Sequence, residues 1–208
     1  TKIVIFNDTT LKRNSFASLS VHGCLFFNAY QADYNEVFLI EDIAHQGAHV
    51  LFNGLTASDK ENYFKVDPET YLTDKGFIGW LMNRFEKRTL FVLMHALQTY
   101  YTILICLDAY LDSTPEDKYK EHEAFGRLGS TLRKLEIDVR IIDRKDKDGN
   151  NLYLTEKGEE LLKVYKTTYS SMLEKRGGEI QSLKLRNQPY NFTYSKFIEL
   201  NPLKENQC

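Results

Sequence analysis

The sequence predicts an α+β fold that is mainly helical, with a small N-terminal β hairpin or sheet followed by a helical bundle that carries a metal site. Two short β-branched and aromatic runs come first, and they predict strands over residues 2–6 and 21–30. Long segments with helical apolar spacing and capping residues follow. We expect a single domain with a β entry segment (1–34), a helical core (35–176) and an extended C-terminal tail (177–208).

The first helix of the core is predicted to begin after Asn35, whose side chain can cap the first turn. It is expected to end near Phe52, because Asn53-Gly54 follows and is typical of a helix C-terminus. Apolar residues at helical spacing form a wide stripe, which predicts a buried helix. The polar residues 55–79 predict a loop with one short helical piece.

Residues 88–111 are apolar on all sides and predict a central core helix. A membrane span is disfavoured because polar residues interrupt the run and no second such segment exists. A further helix over 116–141 is predicted to begin with Pro115 at its first position. After a turn, a last helix over 156–176 is predicted to be capped by Thr155 and to end at Gly177-Gly178.

Charge and cysteine content exclude several function classes. A formal charge of -2 and a pI near 6.2 indicate no global attraction to nucleic acid or to acidic membranes. Cys24, Cys106 and Cys208 lack the spacing of a zinc or redox motif, and their odd number argues against a disulfide framework. We therefore expect a cytoplasmic protein with neither nucleic acid nor a membrane as partner. The oligomeric state is not indicated.

The stretch from Glu41 to His49 places two imidazoles, His45 and His49, four residues apart in an apolar run. On a helix these positions share a face, with Cβ atoms about 5 to 6 Å apart, a separation that two ligands of one metal ion can bridge. Glu41 lies on the same face as a reserve ligand or as a carboxylate that orients His45. His95, the most deeply placed polar residue of the core helix, is the predicted third ligand. The alternative is that these histidines only form hydrogen bonds within the core.

The residue after His45 separates this pattern from the zinc-peptidase motif His-Glu-x-x-His. Gln46 stands where the peptidases have the glutamate that takes a proton from zinc-bound water, and an amide cannot act as that base. The pattern therefore favours a redox metal with open coordination positions. Basic residues cluster before the core helix at Arg84, Lys87 and Arg88, and a single arginine fork reaching into the pocket would suit a dicarboxylate co-substrate.

Four blocks of the chain, in order, resemble the 2-oxoglutarate-dependent HExxH-type peptide β-hydroxylases, which are non-haem iron enzymes that modify ribosomally made peptides. They are the serine-rich entry with its following glycine and apolar strand (16–26), the segment with both imidazoles (38–49), the segment ending in His95-Ala96 (88–96), and the closing Leu-Thr-x-x-Gly (154–162). The departures are Gln46 for the family's Glu, Thr89 for its Pro and Ala96 for its Gly.

This resemblance implies that His45, His49 and His95 hold Fe(II), with 2-oxoglutarate as co-substrate and Arg88 as the residue that binds its distal carboxylate. It implies hydroxylation of a side-chain β-carbon in a peptide substrate, for which a leader-bearing precursor peptide is one form. Two alternatives stay open. One is a divergent zinc metallohydrolase with Glu41 or Asp42 as its base, and the other is a non-catalytic peptide-binding or assembly protein on a degenerate metal scaffold.

Overall fold

A three-stranded mixed sheet precedes five α-helices in the computed structural model, which describes residues 2–9, 15–18, 20–30, 35–57, 59–71 and 88–203. The fold is α+β and mainly helical, as the sequence predicts. Part of the predicted loop (72–79), the basic residues Arg84 and Lys87, and the last five residues with Cys208 lie outside the described residues.

The sheet has the order β1-β3-β2, with β1 at Lys2–Phe6, β2 at Phe16–Ala17 and β3 at Cys24–Asn28. β1 pairs with β3 in parallel and β2 pairs with β3 in antiparallel orientation, which confirms the predicted small N-terminal sheet. β3 is shorter than the predicted run, and β2, at two residues, is too short to give a sequence pattern. Leu25 and Phe27 of β3 are buried, and this central strand packs towards the first helix.

Helix α1 spans Glu36–Thr56, and Asn35 caps it by accepting a hydrogen bond from the Phe38 amide at 2.9 Å. The helix does not end at Asn53-Gly54, because Gly54 keeps a helical conformation and the buried Thr56 hydroxyl donates to the Phe52 carbonyl at 2.8 Å. A 3₁₀ turn, Lys60–Tyr63, follows.

Helix α2, Leu90–Asp112, lies at the centre of the core between α1 and the next helix. Its leucines, among them Leu93, Leu97 and Leu104, are fully buried. Within the described residues α2 is the one helix long and apolar enough to cross a membrane, and more than half of its most apolar window is buried inside the protein.

Helix α3, Lys118–Ile142, begins at Asp117 and not at Pro115, because the Asp117 carboxylate accepts hydrogen bonds from two amides of the first turn. Helix α4, Glu156–Gln181, is capped by Thr155 as predicted, but it continues through Gly177-Gly178. A glycine within a helix costs only about 1 kcal/mol relative to alanine, which the packing of this long helix outweighs.

The tail predicted as extended chain contains a helix, α5, at Tyr194–Leu200. Its Phe197 is fully buried and packs with Phe192 against the middle of α3. Gly126 makes this contact possible, since a Cβ there would lie 2.8 Å from atoms of both rings. The tail therefore packs against α3 around Gly126.

Candidate functional site

Three imidazoles from two helices lie side by side in the structure. His45 and His49 project from one face of α1, and their ring centroids are 4.7 Å apart. His95 comes from α2, with its ring centroid 4.3 Å from that of His49 and its Nε2 atom 2.5 Å from His49 Nδ1. The structure thus brings together the three residues that the sequence singles out, with His49 in the middle.

Burial keeps all three imidazoles uncharged at neutral pH. Desolvation lowers the pKa of His45, His49 and His95 from 6.5 to about 4 in each case, and for His45 the positive charge of Lys134 is a further cause. The Phe52 ring stacks on the His95 ring at 4.9 Å between centroids and contributes to this apolar setting. A neutral imidazole keeps a lone pair, which is the form that binds a metal ion.

The donor set fits a metal ion in its chemistry, but its nitrogens are spaced as in a hydrogen bond. Two nitrogen ligands bound at about 2.0 to 2.1 Å with tetrahedral angles lie about 3.4 Å apart, whereas the facing nitrogens of His49 and His95 are 2.5 Å apart. Across the described ranges, no group of three or more His, Cys, Asp or Glu side chains is arranged so that it could hold one ion. Two donors therefore converge, while His45 stands in ring contact beside them.

Gln46 is buried and joins α1 to the segment before β2. Its side-chain amide donates to the Ser15 carbonyl at 3.2 Å and to Asp42 Oδ1 at 3.3 Å. The Ser15 hydroxyl also donates to the Asp42 carboxylate. Burial raises the pKa of Asp42, and these two hydrogen bonds act in the opposite direction. The amide that departs from the peptidase motif thus has a structural role, because it satisfies the backbone of the entry segment.

Glu41, the reserve ligand, is directed to α3. Arg127 Nη1 donates to Glu41 Oε2 at 2.5 Å, and Arg127 Nε donates to Glu123 Oε1 at 2.8 Å. The guanidinium lies between the rings of Phe38 and Phe192, 5.0 Å from each centroid. Since the Arg127 side chain is only 2% exposed, Glu41 belongs to a buried ion-pair network.

Arg88 also pairs with a carboxylate of α3. Its Nη1 and Nη2 atoms donate to the two oxygens of Asp138 at 2.7 and 2.8 Å. This is the bidentate contact that Arg88 was predicted to make with the carboxylate of a co-substrate. The Asp138 side chain is 4% exposed. A ligand carboxylate would have to displace Asp138 to use this fork, so the predicted role of Arg88 as co-substrate anchor is in competition with a structural one.

A pocket of about 320 Å³ adjoins the imidazoles on the side of His45. It is enclosed by α1, α2, α3 and the segment before α5. Its lining consists of Ser15, Phe38, Glu41, Asp42, His45, Gln46, Tyr100, Ile103, Arg127, Thr131, Lys134, Tyr190, Asn191 and Phe192. His45 is the only one of the three predicted ligands in that lining, so the pocket opens beside the imidazole row rather than over its middle.

The polar residues of α3 in and near this pocket were missed by the sequence analysis. Arg127, Thr131, Lys134 and Asp138 follow one another at intervals of four, three and four residues, which places them on one helix face. Three of the four are buried. This spacing of polar residues was the available signal, but sequence alone does not distinguish a buried polar stripe from a solvated one, because both have the same period.

No protein-family model matches the chain, and no curated protein shows significant similarity to it.

Proposed function

We propose that the chain is a non-haem Fe(II) and 2-oxoglutarate-dependent oxygenase that hydroxylates a side-chain β-carbon in a ribosomally made peptide. The observation that carries the proposal is the cluster of neutral imidazoles formed by His45, His49 and His95 beside a pocket of small-molecule size. Imidazole ligands suit iron, and three protein ligands leave positions open for a co-substrate. The resemblance to the peptide β-hydroxylases supplies the identity of co-substrate and substrate.

The chain's own residues have separable tasks in this reaction. The three imidazoles would hold the ion, the pocket beside His45 would receive 2-oxoglutarate, and Phe52 and Phe91 would exclude water from the side of His95. Bound iron supplies one-electron chemistry with dioxygen. Overall, 2-oxoglutarate, dioxygen and a peptide C–H bond are converted to succinate, carbon dioxide and a C–OH group.

Among the residues that the structure describes, the hydrolase alternative lacks a free base. The Gln46 amide cannot accept a proton, Glu41 is ion-paired with Arg127, and Asp42 accepts hydrogen bonds from Ser15 and Gln46. Both carboxylates in the described lining beside His45 are thus engaged, so we do not propose water activation at this site.

A non-catalytic peptide-binding or assembly protein is the second candidate, and one observation favours it. His45, His49 and His95 are in contact, yet over the described residues they do not form a three-ligand group. On this reading the imidazole row would be a buried hydrogen-bonded cluster on a degenerate scaffold. It predicts that the folded chain takes up no stoichiometric metal.

Anaerobic reconstitution of the full chain with Fe(II) and 2-oxoglutarate separates the two candidates. We expect about one iron per chain and a visible charge-transfer band of the iron-bound co-substrate, followed by succinate formation when oxygen is admitted. His49→Ala and His95→Ala should lower iron affinity by about 10- to 100-fold or more, as changes within a metal's ligand environment do.

His122→Ala is the matched control, because His122 lies outside the cluster and contacts Tyr194 at 3.1 Å. It should bind iron like the unchanged protein. A chain with native circular dichroism that binds no iron would overturn the oxygenase proposal in favour of the second candidate. Equal iron binding by His95→Ala and His122→Ala would remove His95 from the ligand set.

A further inference from the structure

The pocket beside His45 contains two cations and two carboxylates, and three of these four charges are already engaged. Arg127 pairs with Glu41 and with Glu123 outside the pocket. Asp42 accepts hydrogen bonds from Ser15 and Gln46. Lys134 is the exception: within the part of the chain that the structure describes, its ammonium forms no ion pair and lies 4.9 Å from the centroid of the Tyr190 ring.

Among the described residues, no carboxylate forms an ion pair with the Lys134 ammonium. Burial lowers the pKa of Lys134, an effect that the charges of Glu41 and Asp138 oppose and that of Arg127 reinforces. The aromatic face of Tyr190 compensates only a part of the lost hydration. A carboxylate placed next to Lys134 would restore the missing interaction, because an opposite charge at short distance favours the charged form.

One neighbouring side chain could share such a carboxylate. Thr131 lies one helical turn before Lys134 on the same face of α3, and its hydroxyl is a donor in the pocket lining. Tyr100 also enters the lining from α2, but its phenol is hydrogen-bonded to the Tyr190 side chain and is therefore already engaged. One ammonium and one hydroxyl donor make a set suited to a carboxylate.

We propose that Lys134, together with Thr131, binds a carboxylate of a small dicarboxylate in this pocket. The assignment rests on the proposed function, in which that ligand is 2-oxoglutarate with its other end towards His45. A volume of about 320 Å³ is at the lower end of small-molecule pockets and suits a five-carbon acid. Lys134 would thus bind the carboxylate that Arg88 was predicted to bind, because the Arg88 guanidinium is already paired with the buried Asp138.

The test compares ligands with and without carboxylate charge in the metal-free, full-length chain. Succinate and succinamide have the same number of non-hydrogen atoms and differ in charge, and NMR titration gives both dissociation constants without requiring iron. We expect the unchanged protein to prefer succinate, and Lys134→Met to weaken succinate binding by about 10- to 100-fold while leaving succinamide binding unchanged, as for a lost charged hydrogen bond. Lys134→Arg keeps the charge and should recover much of the affinity.

Lys157→Met is the matched control, since Lys157 also lies over a tyrosine ring, 4.6 Å from the Tyr63 centroid, but outside the pocket. It should bind succinate normally. If Lys134→Met has a native circular dichroism spectrum and binds succinate as tightly as the unchanged protein, the proposal is overturned. Tighter binding of N-acetylglutamate methylamide than of succinate would assign the site to an acidic peptide side chain and overturn the small-acid assignment.

The outcomes for this site and for the proposed function are independent. If succinate binds through Lys134 but iron reconstitution fails, the carboxylate site stands and the oxygenase function falls. If the charge-transfer band with 2-oxoglutarate is equally strong and equally saturable in Lys134→Met, the function stands and this site falls.

Discussion

Replacing Arg127 with methionine should strongly destabilise the protein, because it leaves a buried carboxylate without its cation. The side chains of Arg127 and Glu123 are 2% and 3% exposed, whereas Glu41 at 20% can be partly rehydrated. Glu123 would still accept a hydrogen bond from the Asn35 side-chain amide at 2.7 Å. Breaking one side of such a buried pair costs about 3 to 5 kcal/mol. Methionine retains the apolar contact with Phe38 and Phe192, so this cost is mainly electrostatic.

Urea unfolding followed by circular dichroism measures this loss. With a slope of about 3 kcal/mol per M for a chain of this size, the midpoint should fall by about 1 to 1.7 M. Arg140→Met is the surface control, because Arg140 is 76% exposed and pairs with Glu136 one turn away. Its loss should cost no more than about 0.5 kcal/mol.

A second substitution tests the physical cause. In Arg127→Met with Glu123→Gln the buried charge is gone and the Gln carbonyl can still accept from Asn35, so more than half of the lost stability should return. If the double variant is as unstable as Arg127→Met alone, the penalty comes from packing, and the reasoning about an uncompensated charge is refuted.

Two further predictions concern packing and pH. Gly158→Ala should destabilise the protein by about 1 to 3 kcal/mol, because a Cβ there would overlap the Tyr63 carbonyl oxygen. Gly178→Ala on the same helix meets open space and should be neutral or stabilising. Equal urea midpoints in the two variants would contradict this prediction. In the metal-free chain the pKa of His45, His49 and His95 is about 4 against 6.5 when unfolded, so the unfolded state binds more protons between these values and stability should fall as the pH is lowered from 6.5 to 4. Urea midpoints with a chelator present should show a shallower fall in His45→Gln/His95→Gln, and an unchanged slope would contradict the burial of these rings.

The positions of helices and their caps could largely be predicted from sequence. Asn35 and Thr155 cap α1 and α4 as expected, because capping depends on the side chain and the next three residues. Helix ends were less predictable. α1 and α4 continue through glycines at which the sequence predicts that they stop, since tertiary packing outweighs a local penalty of about 1 kcal/mol.

The candidate site could also be predicted only in part from the sequence. The shared face of His45 and His49 follows from their spacing in one helix, and the presence of His95 in a buried helix indicates a polar partner. The roles of Arg88, Glu41 and Lys134 could not be predicted. Each depends on a residue of α3 that is between about 40 and 90 positions away or on the tail, and no local pattern encodes such a pairing.

The sequence by itself determined the fold class, the main helices and the set of three histidines, because helical period and capping act within a few residues. Only the tertiary structure decided the parallel pairing of β1 with β3, the contact of His49 with His95, and the engagement of Arg88 and Glu41 by α3. These choices depend on how helices pack across the core. In the core, charged side chains that are distant in sequence lie next to each other, and a buried charge is stable only when it is paired.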